Sequence, residues 1–337
     1  MQEVRLVNRY ALSLVVATLL HAGVCLAQPP APPEGQAAKF GTSVVTVIAP
    51  PTPAIIEQQA QAFVKSYAAT PNPNLNQIGR WHDPVCVEVL GLPQAAQAAK
   101  IKARIETMAQ SLGLPAASAS FCKPNVEIAF EDDPQGAMNG VSKSREVQYL
   151  LGYYHLSRAK QLRTVKHPIQ AWYVTATHTD GVNTAAFLGY GVPDAIDDPE
   201  SAPPVGCYYR FTACSLSAFY NVLIVADNKA LRGDKLSTVT DDLVMLALSE
   251  PKSLDGCYAL PSVIDRYAKS PCTNRAPPDG LTSADTAYLS ALYSADLEAR
   301  KNPEQVDLSS RMAKMLIQGH AEARDNGEGS PPSVKAQ

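Results

Sequence analysis

The sequence predicts an α+β fold with a mixed β-sheet, formed by a single domain over residues 51–320. Segments with apolar residues three and four apart, typical of amphipathic helices, alternate with short apolar or alternating segments typical of strands. Hydrophobic residues make up 46% of the 337-residue chain, which is enough for a substantial core. The formal net charge is −3 and the charges are scattered, so nothing favours nucleic acid as a partner.

The first half of the domain predicts the order helix, strand, helix, strand. Thr52 and Pro53 suit the start of a helix, because threonine can cap it and proline fits its first position. Residues 85–89 predict a strand, residues 94–112 a clear amphipathic helix, and residues 125–130 a second strand. A helix between two strands favours a right-handed crossover with the strands parallel.

The second half predicts two further strands and three helices. Residues 169–177 alternate like a strand, and the nearly all-apolar residues 218–226 predict a central strand. Ser237 or Thr238 is the expected cap of the next helix, and Thr282 with Asp285 resembles a capping box for another. A last helix is expected over residues 306–317. Loops with a short helix are expected between residues 133 and 166, and a long loop over residues 181–206.

The N-terminal segment predicts export. Residues 1–27 are typical of a secretory signal peptide, with Arg5 and Arg9 before an apolar segment and Ala27 at a small-residue cleavage site. A membrane anchor is the alternative, but the apolar segment is short and His21 interrupts it. We therefore expect a periplasmic or secreted protein with no transmembrane segment after cleavage. Residues 28–50 predict a proline-rich linker, and residues 321–337 a disordered tail.

The cysteines agree with export. Six remain after signal cleavage, and an even number in an exported chain predicts disulfides. We favour sequential pairing among the 15 possible arrangements. The predicted bonds are Cys86–Cys122, Cys207–Cys214 and Cys257–Cys272.

The predicted order of elements resembles the zincin fold of matrixin-like metalloproteases. It is also similar to a domain of proteobacterial envelope proteins that is thought to share that fold. The residues that carry the resemblance are the apolar segment 218–226, the helix over 240–249 and the sequence LTSADTAYLSALY over 281–293. The resemblance covers about 200 residues by topology, and it implies a helix equivalent to the zinc-binding helix of those enzymes.

That helix lacks the catalytic motif. HExxH places two histidines on one helical face to bind zinc, with a glutamate as base. Here the helix reads TDDLVMLALSE, where Asp241 and Asp242 are adjacent and are followed by apolar residues. We therefore expect no catalytic residues, no metal ligands and no cofactor.

A binding role is the leading hypothesis. In zincins an edge strand takes the substrate by strand addition, and the strand with Trp172 and Tyr173 is the candidate here. The partner is expected to be an envelope protein or peptide, with the candidate contacts Trp172, Tyr173, His178, Asp180, Tyr209 and Arg210. The alternative is a hydrolase with a non-standard site near His178 and Asp180, although no GxSxG motif supports it.

Overall fold

A computed structural model of the chain describes residues 51–70, 78–117, 122–144, 164–179, 215–268, 275–295 and 304–325, and the single residues 147, 162 and 272. The predicted signal peptide and linker lie outside the described residues. The described helices are α1 (Pro53–Tyr67), α2 (Ala95–Ser111), α3 (Pro134–Lys143), α4 (Leu236–Leu248), α5 (Ser283–Ser294) and α6 (Glu304–Asp325). A 3₁₀ helix covers Val263–Tyr267.

Four strands form one mixed sheet, so the fold is α+β. They are β1 (Val87–Leu90), β2 (Val126–Glu131), β3 (Ile169–Thr179) and β4 (Ser215–Asp227), and they lie in the order β1-β2-β4-β3. Strands β1, β2 and β4 run parallel, and β3 pairs antiparallel with β4. The parallel pairing of the first two strands and the central position of β4 were predicted, and both are confirmed.

Three details differ from the sequence prediction. Helix α4 begins at Leu236 without a side-chain cap, so both predicted cap residues, Ser237 and Thr238, lie inside the helix. The Thr238 hydroxyl donates to the carbonyl oxygen of Asp279 at 2.6 Å. Helix α3 is longer than the short helix expected and is capped by Asp133, whose carboxylate accepts from Gly136 N at 3.0 Å. Helix α6 continues to Asp325, five residues into the predicted tail.

The two faces of the sheet are buried by different elements. One face packs against α1, α2, α4, α5 and α6 in a large core whose strand members are Val87, Val126, Ile128, Phe130, Ile169, Phe219, Val222, Ile224 and Ala226. The other face carries a smaller cluster around Trp172, Val174, Leu223 and Val225, covered by Met138 of α3 and by Leu162. Helix α4 lies in the large core, and ten of its residues are buried.

Two of the three predicted disulfides are present in the described residues. Cys86 bonds Cys122 just before β1 and β2, and Cys257 bonds Cys272 around the 3₁₀ helix; each pair has a Cα–Cα distance of 5.6 Å. Cys207 and Cys214 lie outside the described residues. None of the helices in the described part of the chain is long and apolar enough to cross a membrane.

Candidate functional site

Strand β3 forms one edge of the described sheet, and its outer side presents backbone groups. Asp227 N donates to Pro168 O at 2.8 Å, so residue 168 points its backbone polar groups toward β4. Backbone direction alternates along an antiparallel strand, so residues 170 and 172 also bond β4. The N–H and C=O groups of Ile169 and Ala171 therefore point away from the sheet. No described strand pairs with this edge.

A cleft of about 450 Å³ runs beside this edge. One wall is the segment that leads into β3 together with the first half of that strand. The other wall is residues 251–255, which follow α4. The lining residues are Thr164, Lys166, His167, Gln170, Ala171, Trp172, Tyr173, Leu246, Pro251, Lys252, Ser253, Leu254 and Asp255.

The second wall is held in place by helix α1. Glu250 O accepts from Ala69 N at 3.1 Å, and Lys252 N donates to Tyr67 O at 2.6 Å. An isolated antiparallel bridge joins Ala68 to Pro251. The wall beyond it is fixed by Tyr258, whose hydroxyl donates to Ser253 O. The cleft therefore has two walls that belong to separate and well-anchored parts of the fold.

The C-terminal turn of α4 forms the floor, and aromatic side chains satisfy its carbonyl groups. The last carbonyls of a helix have no partner within the helix. Here Tyr173 donates to Leu246 O and Ser249 O, at 2.8 and 3.0 Å. Trp81 Nε1 donates to Ala247 O at 2.7 Å, and Tyr293 donates to Leu248 O at 2.8 Å. Burial raises the pKa of Tyr293, so its phenol stays protonated as a donor.

One contact between a histidine and a carboxylate lies across the cleft. His167 Nε2 is 3.5 Å from Asp255 Oδ1, with the imidazole 8% and the carboxylate 56% exposed. Asp255 is the only carboxylate among the residues that line the cleft, whereas Lys166 and Lys252 are both exposed there. The Lys252 ammonium group donates to the neutral Lys65 carbonyl at 3.2 Å. Among the described residues neither lysine has a carboxylate partner, so the cleft is locally positive.

The first half of α4, which carries two adjacent aspartates, is used for packing. Asp241 accepts from Arg104 Nε and from Leu281 N, each at 3.1 Å. Asp242 is 2% exposed, and burial together with the nearby Asp285 raises its pKa well above the usual value. The two carboxylates thus diverge, one toward α2 and the loop before α5, the other into the core. Met245, four residues after Asp241, is fully buried.

One described group of side chains has metal-ligand chemistry. It consists of Cys257, Asp265 and Cys272, whose ligand atoms lie within 4.8 Å of one another. The two cysteines are joined in a disulfide, and the Asp265 carboxylate accepts from Arg275 Nη2 at 2.5 Å and from Ser262 N at 3.1 Å. These atoms already have partners, so the group holds the 3₁₀ helix and its loop together.

The predicted binding residues fall in different places. Trp172 and Tyr173 line the cleft, although the Trp172 ring is also packed in the smaller core cluster. His178 lies on β3 opposite Leu216, but its side chain is outside the described residues, as are Asp180, Tyr209 and Arg210. The hydrolase alternative near His178 therefore stays a prediction.

The charged residues of the cleft are not predictable from the sequence pattern. Lys166 and His167 precede β3, while Lys252 and Asp255 follow α4, and no local motif links the two segments. Only the pairing of β3 with β4 and the fold of α4 beneath the sheet bring them together. Comparisons with protein families, curated proteins and solved structures find no match to this chain.

Proposed function

We propose that this protein is an exported, non-catalytic binding protein on a zincin-like scaffold, and that β3 takes an extended peptide of its partner as an added strand. The observation that carries the proposal is the outward backbone of Ile169 and Ala171 beside a cleft of about 450 Å³. Main-chain hydrogen bonds supply affinity in such strand addition, and side-chain pockets supply specificity.

The order of elements supports the zincin-like part of the proposal. The elements β1, α2, β2, β3, β4 and α4 occur along the chain in the order that the resemblance implies, with α3 between β2 and β3. Strand β3 lies at an edge of the sheet. The composition of α4 supports a non-catalytic role, since the helix offers neither histidine nor cysteine and both of its carboxylates serve packing. The two disulfides support export, because such bonds persist in oxidising compartments.

An Ala171→Pro variant tests the strand addition directly. Proline removes an N–H group and is tolerated at edge positions whose N–H faces away from the ladder. Ala171 meets that condition, whereas Trp172 is buried and its replacement would disturb the core. Ala171→Ser is the matched control, because it keeps the N–H group at the same position.

The probe is a displayed library of random nonapeptides, panned against the purified protein. Selected peptides are then measured by fluorescence anisotropy with the wild type and both variants. We expect Ala171→Pro to weaken binding about tenfold, the equivalent of roughly one main-chain hydrogen bond, and Ala171→Ser to bind like the wild type. A library that yields no binder, or binders insensitive to Ala171→Pro, would overturn the proposal.

A further inference from the structure

The charges around the cleft indicate what kind of strand it takes. The chain as a whole is acidic, with a formal net charge of −3. The cleft has the opposite character, because Lys166 and Lys252 line it and its single carboxylate, Asp255, contacts His167 at 3.5 Å. A positive cleft on an acidic protein attracts anionic ligands and disfavours cationic ones.

The two lysines lie on opposite walls. Lys166 is three residues before Ile169, the first outward residue of β3, and its backbone N–H donates to the Gln170 side chain at 2.7 Å. Lys252 lies on the wall that α1 holds in place. A strand added along β3 runs between these walls, so its side chains come within reach of both ammonium groups. Exposed ammonium groups on long flexible stems can meet a carboxylate without any change in the backbone.

We propose that the added strand carries acidic side chains, and that Lys166 and Lys252 select it. This inference rests on the proposed strand addition and extends it to the chemistry of the partner. Asp255, the one carboxylate among the described residues that line the cleft, lies beside the His167 imidazole.

Two blocked heptapeptides test the selection. One alternates valine with glutamate, and the other has glutamine in place of each glutamate, so that length and strand propensity are kept. Binding to the purified protein is measured at low and high salt. We expect the glutamate peptide to bind about threefold to fivefold more tightly, with the preference shrinking at high salt because exposed charges are screened.

Charge-reversal variants locate the preference. Lys166→Glu and Lys252→Glu should each remove or invert it. Lys100→Glu, an exposed residue of α2 away from the cleft, makes the same change in net charge and should leave it intact. Thermal unfolding of all three variants is measured as well, to check that each variant keeps the fold.

The outcomes separate the two proposals. Equal binding of both peptides by the wild type, with loss of both in Ala171→Pro, would overturn the selection by charge and keep the strand addition. The same preference in Lys100→Glu and in the two cleft variants would also overturn it. Absence of binding by either peptide, together with a library that yields no binder, would remove both proposals.

Discussion

The two edges of the described sheet differ in length and in what covers them. Strand β1 has four residues, and the outer groups of Val87 are occupied: its N–H donates to Glu106 Oε1 at 3.3 Å, and its C=O accepts from Lys102 Nζ at 3.1 Å. Strand β3 has 11 residues and borders a cleft. Uncovered edges invite pairing with other chains, so natural proteins cover those they do not use. The contrast agrees with the proposed strand addition, because Val87 of β1 is covered by side chains and no described strand covers β3.

The two edges are also anchored to opposite ends of α4. On the β1 side, Arg104 of α2 binds Asp241 near the start of the helix, with Nη2–Oδ1 at 3.1 Å. On the β3 side, Tyr173 binds the carbonyls at its end. The β1 side carries a disulfide as well, between Cys86 and Cys122. The side of the sheet at β1 therefore carries more of the contacts that stabilise the fold.

The largest expected effect concerns the disulfide beside β1. The Cys86–Cys122 bond closes a loop with a sequence separation of 36 residues. By loop-closure entropy, replacing both cysteines by serine should lower the free energy of unfolding by about 3–4 kcal/mol. Urea unfolding monitored by circular dichroism measures the loss. A loss below about 1 kcal/mol would mean that the bond does not anchor this edge.

The same double variant also tests whether the edge at β3 is independent of the edge at β1. Peptide binding at the distant edge should be unchanged while the protein is folded, because the bond lies on the opposite side of the sheet. A parallel loss of binding and stability would show that the two edges are not independent.

The second effect concerns pH and the buried Asp242 in the first half of α4. Burial, then Asp285, raises the pKa of Asp242, so the native state holds its proton more tightly than the unfolded chain does. Stability contributed by Asp242 is therefore greatest at low pH and is lost as pH rises through the native pKa. Asp242→Asn should stabilise the protein by about 1–3 kcal/mol at pH 8, with a smaller gain near pH 4.

Thermal unfolding across this pH range measures the gain, with Asp241→Asn as the control. That variant removes the ion pair with Arg104 and should not be stabilising at any pH. A gain for Asp242→Asn that does not depend on pH would point to packing rather than to ionisation.

The smallest effect concerns the cover over β1. Replacing both Lys102 and Glu106 by alanine leaves the outer groups of Val87 without these partners, at a cost of about 1 kcal/mol. We expect self-association at high protein concentration, because the uncovered strand can pair with another copy. Sedimentation velocity detects this, and Lys100→Ala on the same helix is the control. Sedimentation identical to that of the wild type would show that the two side chains are not protecting the edge.

The sequence predicted those parts of the fold that depend on local pattern. Ile101 and Ile105 mark the buried face of α2, and Thr282 with Asp285 makes the capping box that begins α5. The cap of α4 was predicted wrongly, because the helix begins at Leu236, before both predicted cap residues. The length of helix α3 was underestimated, because Gly136 and Gly140 lower its helical propensity. Asp133 followed by Pro134, which is typical of a helix start, was the better indicator.

The cleft shows why a site is harder to predict than an element. Tyr173 was selected as an aromatic residue on a strand, but its contacts with Leu246 and Ser249 depend on where α4 ends. His167 and Asp255 belong to segments separated by β3, β4 and α4, and nothing in either segment points to the other. The two residues are close because of the way β3, β4 and α4 pack together, and the residue pattern of each segment alone does not predict that packing.

The aromatic donors at the end of α4 also constrain the order of folding. Tyr67 OH lies 2.9 Å from Ser249 Oγ across 182 residues of sequence, and Trp81 reaches Ala247 across 166. Contacts so distant in sequence form slowly, because a long loop must close first. The carbonyl groups and Ser249 at the last turn of α4 are bonded by Tyr67 of α1, by Trp81, by Tyr173 of β3 and by Tyr293 of α5. All of these residues must be in place before the hydrogen bonds of this turn are complete. We therefore expect this turn to form late in folding, after the helix that carries it.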